Sequence, residues 1–112
     1  MTTTTADERL AVALLRRSEA VLQLPYSDPN VIRRPLFDGG RPMLASRPID
    51  SLDLIEVMVA IDDDLGVLVL DRVELRGAGT LAGLAELIRA RADPLAVERF
   101  CAQWAEVGLY RV

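Results

Sequence analysis

The sequence predicts an all-α fold built as a single domain of 112 residues. Three observations predict it. Half of the residues are apolar (51%), yet aromatics make up only 4% and Ala, Leu and Val dominate, a composition that suits helices with small side chains better than aromatic-rich sheets. Apolar residues recur at helical spacing in several segments. Those segments open on Asp or Thr, which cap helix N-termini, and close at Gly or Pro.

Thr5 with Glu8 has the capping-box form and opens the first helix, which runs to Leu24 with Leu10, Leu14 and Val21, flanked by Ala11, Leu15 and Leu22, on one arc. Pro25 stops it. Residues 25–49 hold five of the six prolines and are expected to form a long loop, with Val31, Ile32, Leu36, Phe37, Met43 and Leu44 as possible anchors to the core. Within it, Asp38-Gly39-Gly40 predicts a turn and not a phosphate cradle, because no strand and no Gly-Lys-Ser go with it. Asp50 is a good N-cap, Asp53 takes the N3 position and Gly66 lies where a helix commonly stops, so Ser51–Leu65 is the second helix and Ser51 its first residue. Asp71 with Glu74 starts a one-turn helix ended by Gly77 and Gly79. Thr80 caps a fourth helix, Leu81–Arg91, with Leu81, Leu84, Ala85 and Ile88 as its buried stripe. Asp93 followed by Pro94 opens a fifth, over residues 94–108, with Val97, Phe100, Cys101, Trp104 and Val107 on one face. That stripe is too apolar for water. It packs back on the body, forms a homodimer seam, or serves as a docking element.

The inventory excludes several functions. With no histidine and a single cysteine, a Ser-His-Asp or Cys-His mechanism and the usual zinc sites are ruled out, so the chain is expected not to be an enzyme and to bind no metal. Cys101 alone cannot form an internal disulfide and is expected to be a small buried hydrophobe. No leader-like segment and no apolar run of about 18 residues is present, which predicts a soluble, cytoplasmic protein; a monomer is expected. All 13 basic residues are arginine. From Ile49 to Leu70 there is none, against Asp50, Asp53, Glu56, Asp62, Asp63 and Asp64. A segment at −6 in a chain at −4 disfavours nucleic acid and membrane partners and favours basic protein partners.

Helix two is the informative element. Leu54, Val57, Met58, Ile61 and Leu65 suffice to bury one arc, yet the opposite arc carries Leu52, Ile55 and Val59 among Asp53, Glu56 and Asp63. An apolar strip edged by carboxylates on the solvent side invites a protein partner, unless residues 25–49 or the fifth helix cover it. Asp62, Asp63 and Asp64 stand at the helix end where the macrodipole disfavours anions, by roughly 0.3–1 kcal/mol each. They form either a solvated charge run or a docking ridge for cationic side chains. Ser51 lies at the opposite, positive end, where a phosphodiester on its hydroxyl is stabilised by backbone N–H groups.

Asp50-Ser51-Leu52-Asp53, followed by Glu56, Met58, Val59, Ala60 and the acid run 62–64, resembles the modification helix of acyl carrier proteins. The resemblance extends from about Leu36 to Ile88, while helix one agrees only in position and amphipathicity. It implies a four-helix bundle with a short third helix over residues 6–91, here with a long loop between helices one and two and an added C-terminal helix. It also implies that a dedicated phosphopantetheinyl transferase attaches 4'-phosphopantetheine from coenzyme A to Ser51. Asp50, Leu52, Asp53, Ile55, Glu56 and Val59 match positions that contact partners, and Asp62 and Asp63 join them as part of the acidic ridge. Those partners are the transferase and acyl-loading, condensing or acyltransferase enzymes with basic docking surfaces. The chain departs from the family in having Arg47-Pro48-Ile49 before Asp50, where the family usually has Gly two residues before the Asp, and in its fifth helix. These departures point to a specialised polyketide or lipid pathway rather than housekeeping fatty acid biosynthesis. An aminoacyl or peptidyl carrier and an unmodified carrier-like interaction module are the alternatives. A DNA-binding bundle would need a basic recognition helix, and the most polar helix here is acidic.

Overall fold

The computed structural model describes residues 6–66 and 72–107. Thr5, Asp71 and Gly108, expected as helix-boundary residues, lie outside them. The elements run α1 (Ala6–Leu22), a 3-10 turn (Pro29–Arg33), β1 (Phe37–Asp38), β2 (Arg41–Leu44), β3 (Arg47–Pro48), α2 (Ser51–Leu65), α3 (Arg72–Ala78), α4 (Leu81–Arg91) and α5 (Pro94–Trp104). The protein is mostly helical, with a small three-stranded antiparallel sheet of order β1-β2-β3.

That sheet corrects the all-α expectation and the long loop over residues 25–49. Two tight turns make it. Gly39 and Gly40 adopt φ of 57° and 88°, and Ala45 and Ser46 adopt 52° and 65°. Positive φ at both central residues matches the right-handed twist of a two-residue hairpin. The glycines signal the first turn, but nothing in Ala45-Ser46 signals the second. The register sets Phe37 opposite Pro42, Asp38 opposite Arg41, Met43 opposite Pro48 and Leu44 opposite Arg47. Pro42 and Leu44 point into the core, so this meander is a wall of the domain.

The remaining boundaries differ in detail. α1 ends at Leu22, ahead of Pro25, because Gln23 takes a left-handed φ of 57° and the Leu24 and Gln23 N–H groups bond back to the Glu19 and Ala20 carbonyls. Gly77 lies inside α3, and Gly79, at φ 77°, follows its end. α5 ends at Trp104.

α1 is the central helix and packs on α2, α4 and α5. Leu10, Ala11, Ala13, Leu14 and Leu15 are all buried, a wider face than one amphipathic stripe, and the alanines let three neighbours approach. Leu81, Leu84, Ala85 and Ile88 of α4 and Val57, Ile61 and Leu65 of α2 close the core as expected. Each large aliphatic side chain buried this way contributes about 1.5–3 kcal/mol. Val97, Phe100, Cys101 and Ala105 are buried too, so α5 packs back on the body.

The α3–α4 corner is tight. Thr80 caps α4 through Gly83 N–H at 3.0 Å, and a Cβ at Gly83 would collide with the Ala78 carbonyl oxygen. Gly83→Ala is therefore expected to destabilise by about 1–2 kcal/mol, because overpacking against backbone outweighs the helix-propensity gain of alanine. Urea unfolding followed by circular dichroism checks this: a midpoint at or above the parent's would refute it.

Candidate functional site

Ser51 is the first residue of α2 and is exposed. The local sequence fixes its place. Asp50, in extended backbone, accepts from the Asp53 N–H at 2.7 Å, and the Asp53 carboxylate accepts from the Asp50 N–H at 3.4 Å, closing a capping box. The Leu54 N–H goes to the Asp50 carbonyl at 3.1 Å. Two of the first-turn donors expected to meet a phosphodiester are thus already taken. The first turn still presents the Leu52 N–H, and the helix runs 15 residues to Gly66, whose left-handed φ of 65° ends it.

Leu52, Ile55 and Val59 are 70%, 54% and 46% exposed, so neither the meander nor α5 covers the strip. Glu56 and Asp63 are exposed beside it, and Asp53 is half-buried in its capping box. Among the described residues, Asp50, Asp53, Glu56, Asp62 and Asp63 form no ion pair. The acid run divides. Asp64 pairs with Arg17 of α1 at 2.8 Å, and the Arg17 guanidinium lies 5.2 Å from the centre of the Trp104 ring, joining α1, α2 and α5. Asp64 is therefore structural, and only Asp62 and Asp63 remain for a partner. Asp62 is half-buried and faces a cavity, which sets it apart from the solvent-side strip.

That cavity, about 50 Å³, lies between α2, α3, α4 and the meander, with Phe37, Met43, Ile49, Leu54, Met58 and Leu75 among its apolar walls. Ile49 and Leu54 bracket Ser51 in sequence, so one end of the cavity begins near the start of α2. Its volume is about a third of the roughly 150 Å³ at which an engineered apolar cavity takes up benzene. The Arg76 guanidinium, 5.3 Å from the Phe37 ring centre, braces the outer wall. Periodicity does not reveal the cavity, although the meander residues that line it stand out in the sequence as core anchors.

Cys101 is buried as expected. Burial pushes its thiol up, against smaller opposing effects of Arg9 and Arg89, as suits a side chain packed in the core. Trp104 is half-buried, and its Nε1 is buried with no hydrogen-bond partner among the described residues. Among the described residues no group of His, Cys, Asp or Glu is placed to hold a metal ion, and no helix is long and apolar enough to cross a membrane. In comparisons with known proteins, the chain matches no protein family, no curated protein and no solved structure.

Proposed function

We propose that the chain is a discrete acyl carrier protein that holds acyl intermediates as thioesters on a 4'-phosphopantetheine arm attached to Ser51, in a specialised polyketide or lipid pathway. One observation carries the proposal. An exposed serine opens a well-capped helix whose solvent face joins an uncovered apolar strip to carboxylates that, among the described residues, form no ion pair. Such a face suits a protein that is visited in turn by several enzymes, since electrostatic complementarity speeds encounter and a small apolar contact allows release.

Loading forms a bond from Ser51 Oγ to the phosphorus bearing pantetheine and breaks the pyrophosphate bond of coenzyme A. Adenosine 3',5'-bisphosphate leaves, and the hydroxyl proton passes to a base of the transferase. The chain contributes position rather than proton transfer: it has no histidine, and Asp50 and Asp53 are engaged in the capping box. When attached, the arm supplies the thiol that forms the thioester. The cavity near the start of α2 is large enough for a few methylenes of a short cargo.

Intact mass after incubation with coenzyme A and a broad-specificity transferase tests the proposal. A gain of one phosphopantetheine is expected, and no gain with several transferases favours an unmodified interaction module. For docking, Glu56→Arg is expected to lower loading kcat/KM about tenfold at low salt, with the deficit shrinking as salt rises. Equal rates at low salt would remove the acidic face from the docking site.

A further inference from the structure

Of the described residues that line the cavity beside α2, only Ser18 and Asp62 are polar. They share one end of it. The α2 wall runs from Leu54 through Met58 to Asp62, about 12 Å along the helix at 1.5 Å per residue. Leu54 lies in the first turn, beside Ser51, and Asp62 in the last. Ser18 comes from α1, where its neighbour Arg17 pairs with Asp64 at 2.8 Å, so Ser18 stands at the same far end of α2. The cavity is therefore apolar where it begins near Ser51 and polar where it stops.

Both polar groups accept hydrogen bonds and neither offers one. Ser18 is 1% exposed, and its Oγ already donates to the Leu14 carbonyl at 2.7 Å. A carboxylate has no proton to give, and among the described residues Asp62 forms no ion pair. The rest of the wall can adjust, because Met43 and Met58 both line it and an unbranched thioether chain repacks readily around an occupant.

We propose that this cavity selects a short acyl cargo bearing a hydroxyl on a carbon remote from the thioester, with that hydroxyl donating to the Asp62 carboxylate beside Ser18. The proposal rests on the carrier assignment made above and names its class of cargo. A hydroxyl brings one donor to a place that holds only acceptors. A carbonyl at the same carbon sets lone pairs against lone pairs, and an unsubstituted chain buries Asp62 further with nothing in return. An ammonium brings three donors to two groups, together with a full charge to strip of water among apolar walls.

Thermal unfolding of carriers loaded with defined arms tests this. The arms come from coenzyme A analogues that hold hexanoyl, 5-hydroxyhexanoyl or 5-oxohexanoyl as an amide, so that the hydroxyl cannot cleave the linkage by forming a lactone. The hydroxylated arm is expected to melt about 4 °C above the hexanoyl arm, the scale of one hydrogen bond to a charged acceptor in a chain of this length, and the oxo arm below it. Asp62→Asn presents an amide N–H where the parent has only acceptors, and should lift the oxo arm above the hexanoyl arm. Asp63→Asn, its exposed neighbour, should keep the parent's order. A parent that loads but melts alike with all three arms, or highest with the hexanoyl or oxo arm, overturns the proposal and leaves the carrier assignment standing. An Asp62→Asn protein that keeps the parent's order also overturns it. A parent that no transferase loads overturns both.

Discussion

Ser51→Ala is expected to abolish loading by the transferase while leaving the helical fold intact. Two other hydroxyls near the core are committed elsewhere: Ser18 Oγ donates to the Leu14 carbonyl at 2.7 Å, and Thr80 Oγ1 caps α4. Ser46 is exposed, but it sits in a hairpin turn at φ 65°, with no helix behind it to orient an incoming enzyme. Ser46→Ala should therefore load like the parent. Alanine is the best helix former, Asp50 keeps its cap, and exposed substitutions of this kind change stability by about 0.5 kcal/mol or less. Intact mass and circular dichroism of both variants decide the matter: loading that survives Ser51→Ala would displace Ser51 as the attachment point.

The helices were legible because their signals are local. Asp50 with Asp53, Gly66, Thr80 and the α4 stripe all do in the structure what their residue types predict. The meander was not, because its strands are two to four residues long, too short for alternation to register, and its second turn uses Ala45 and Ser46 in a conformation their identities do not announce. The uncovered strip on α2 was legible as a pattern, but its exposure was not, since periodicity cannot tell which of two apolar arcs a distant segment covers. Pairing across the chain was hidden for the same reason. Arg17, Asp64 and Trp104 are far apart in sequence, and it is the packing of α2 against α1, with Trp104 of α5 on the far side of Arg17, that gives a partner to an aspartate at a helix end where the dipole disfavours it.

Arg16→Ala is expected to be among the most destabilising single substitutions in the chain. Arg16 is 2% exposed and Glu19 is not exposed at all, three residues apart on α1, the helix on which α2, α4 and α5 pack. Their placement holds because Arg16 Nε and Nη1 and both Glu19 oxygens are met. Arg16 Nη1 donates to Glu19 Oε1 at 2.9 Å and to the Ser27 carbonyl at 2.8 Å, and Arg16 Nε donates to the Val107 carbonyl at 3.0 Å. Glu19 Oε2 accepts from the Ser27 N–H at 2.8 Å, and the Tyr26 ring lies 5.3 Å from the guanidinium. The pair thereby ties the turn after α1 and the residues after α5 to one buried point. Removing Arg16 leaves the Glu19 carboxylate buried with a single donor, a loss of about 3–5 kcal/mol, whereas removing both charges together is much better tolerated. Arg16→Ala should lower the melting temperature by more than about 10 °C, and Arg16→Met/Glu19→Leu should recover part of that. Thermal unfolding by circular dichroism measures both, and an Arg16→Ala protein melting within about 2 °C of the parent would show that the pair is not held out of water. Well below its melting temperature the Arg16→Ala protein should still load at the parent's rate, because the pair touches neither Ser51 nor the face of α2.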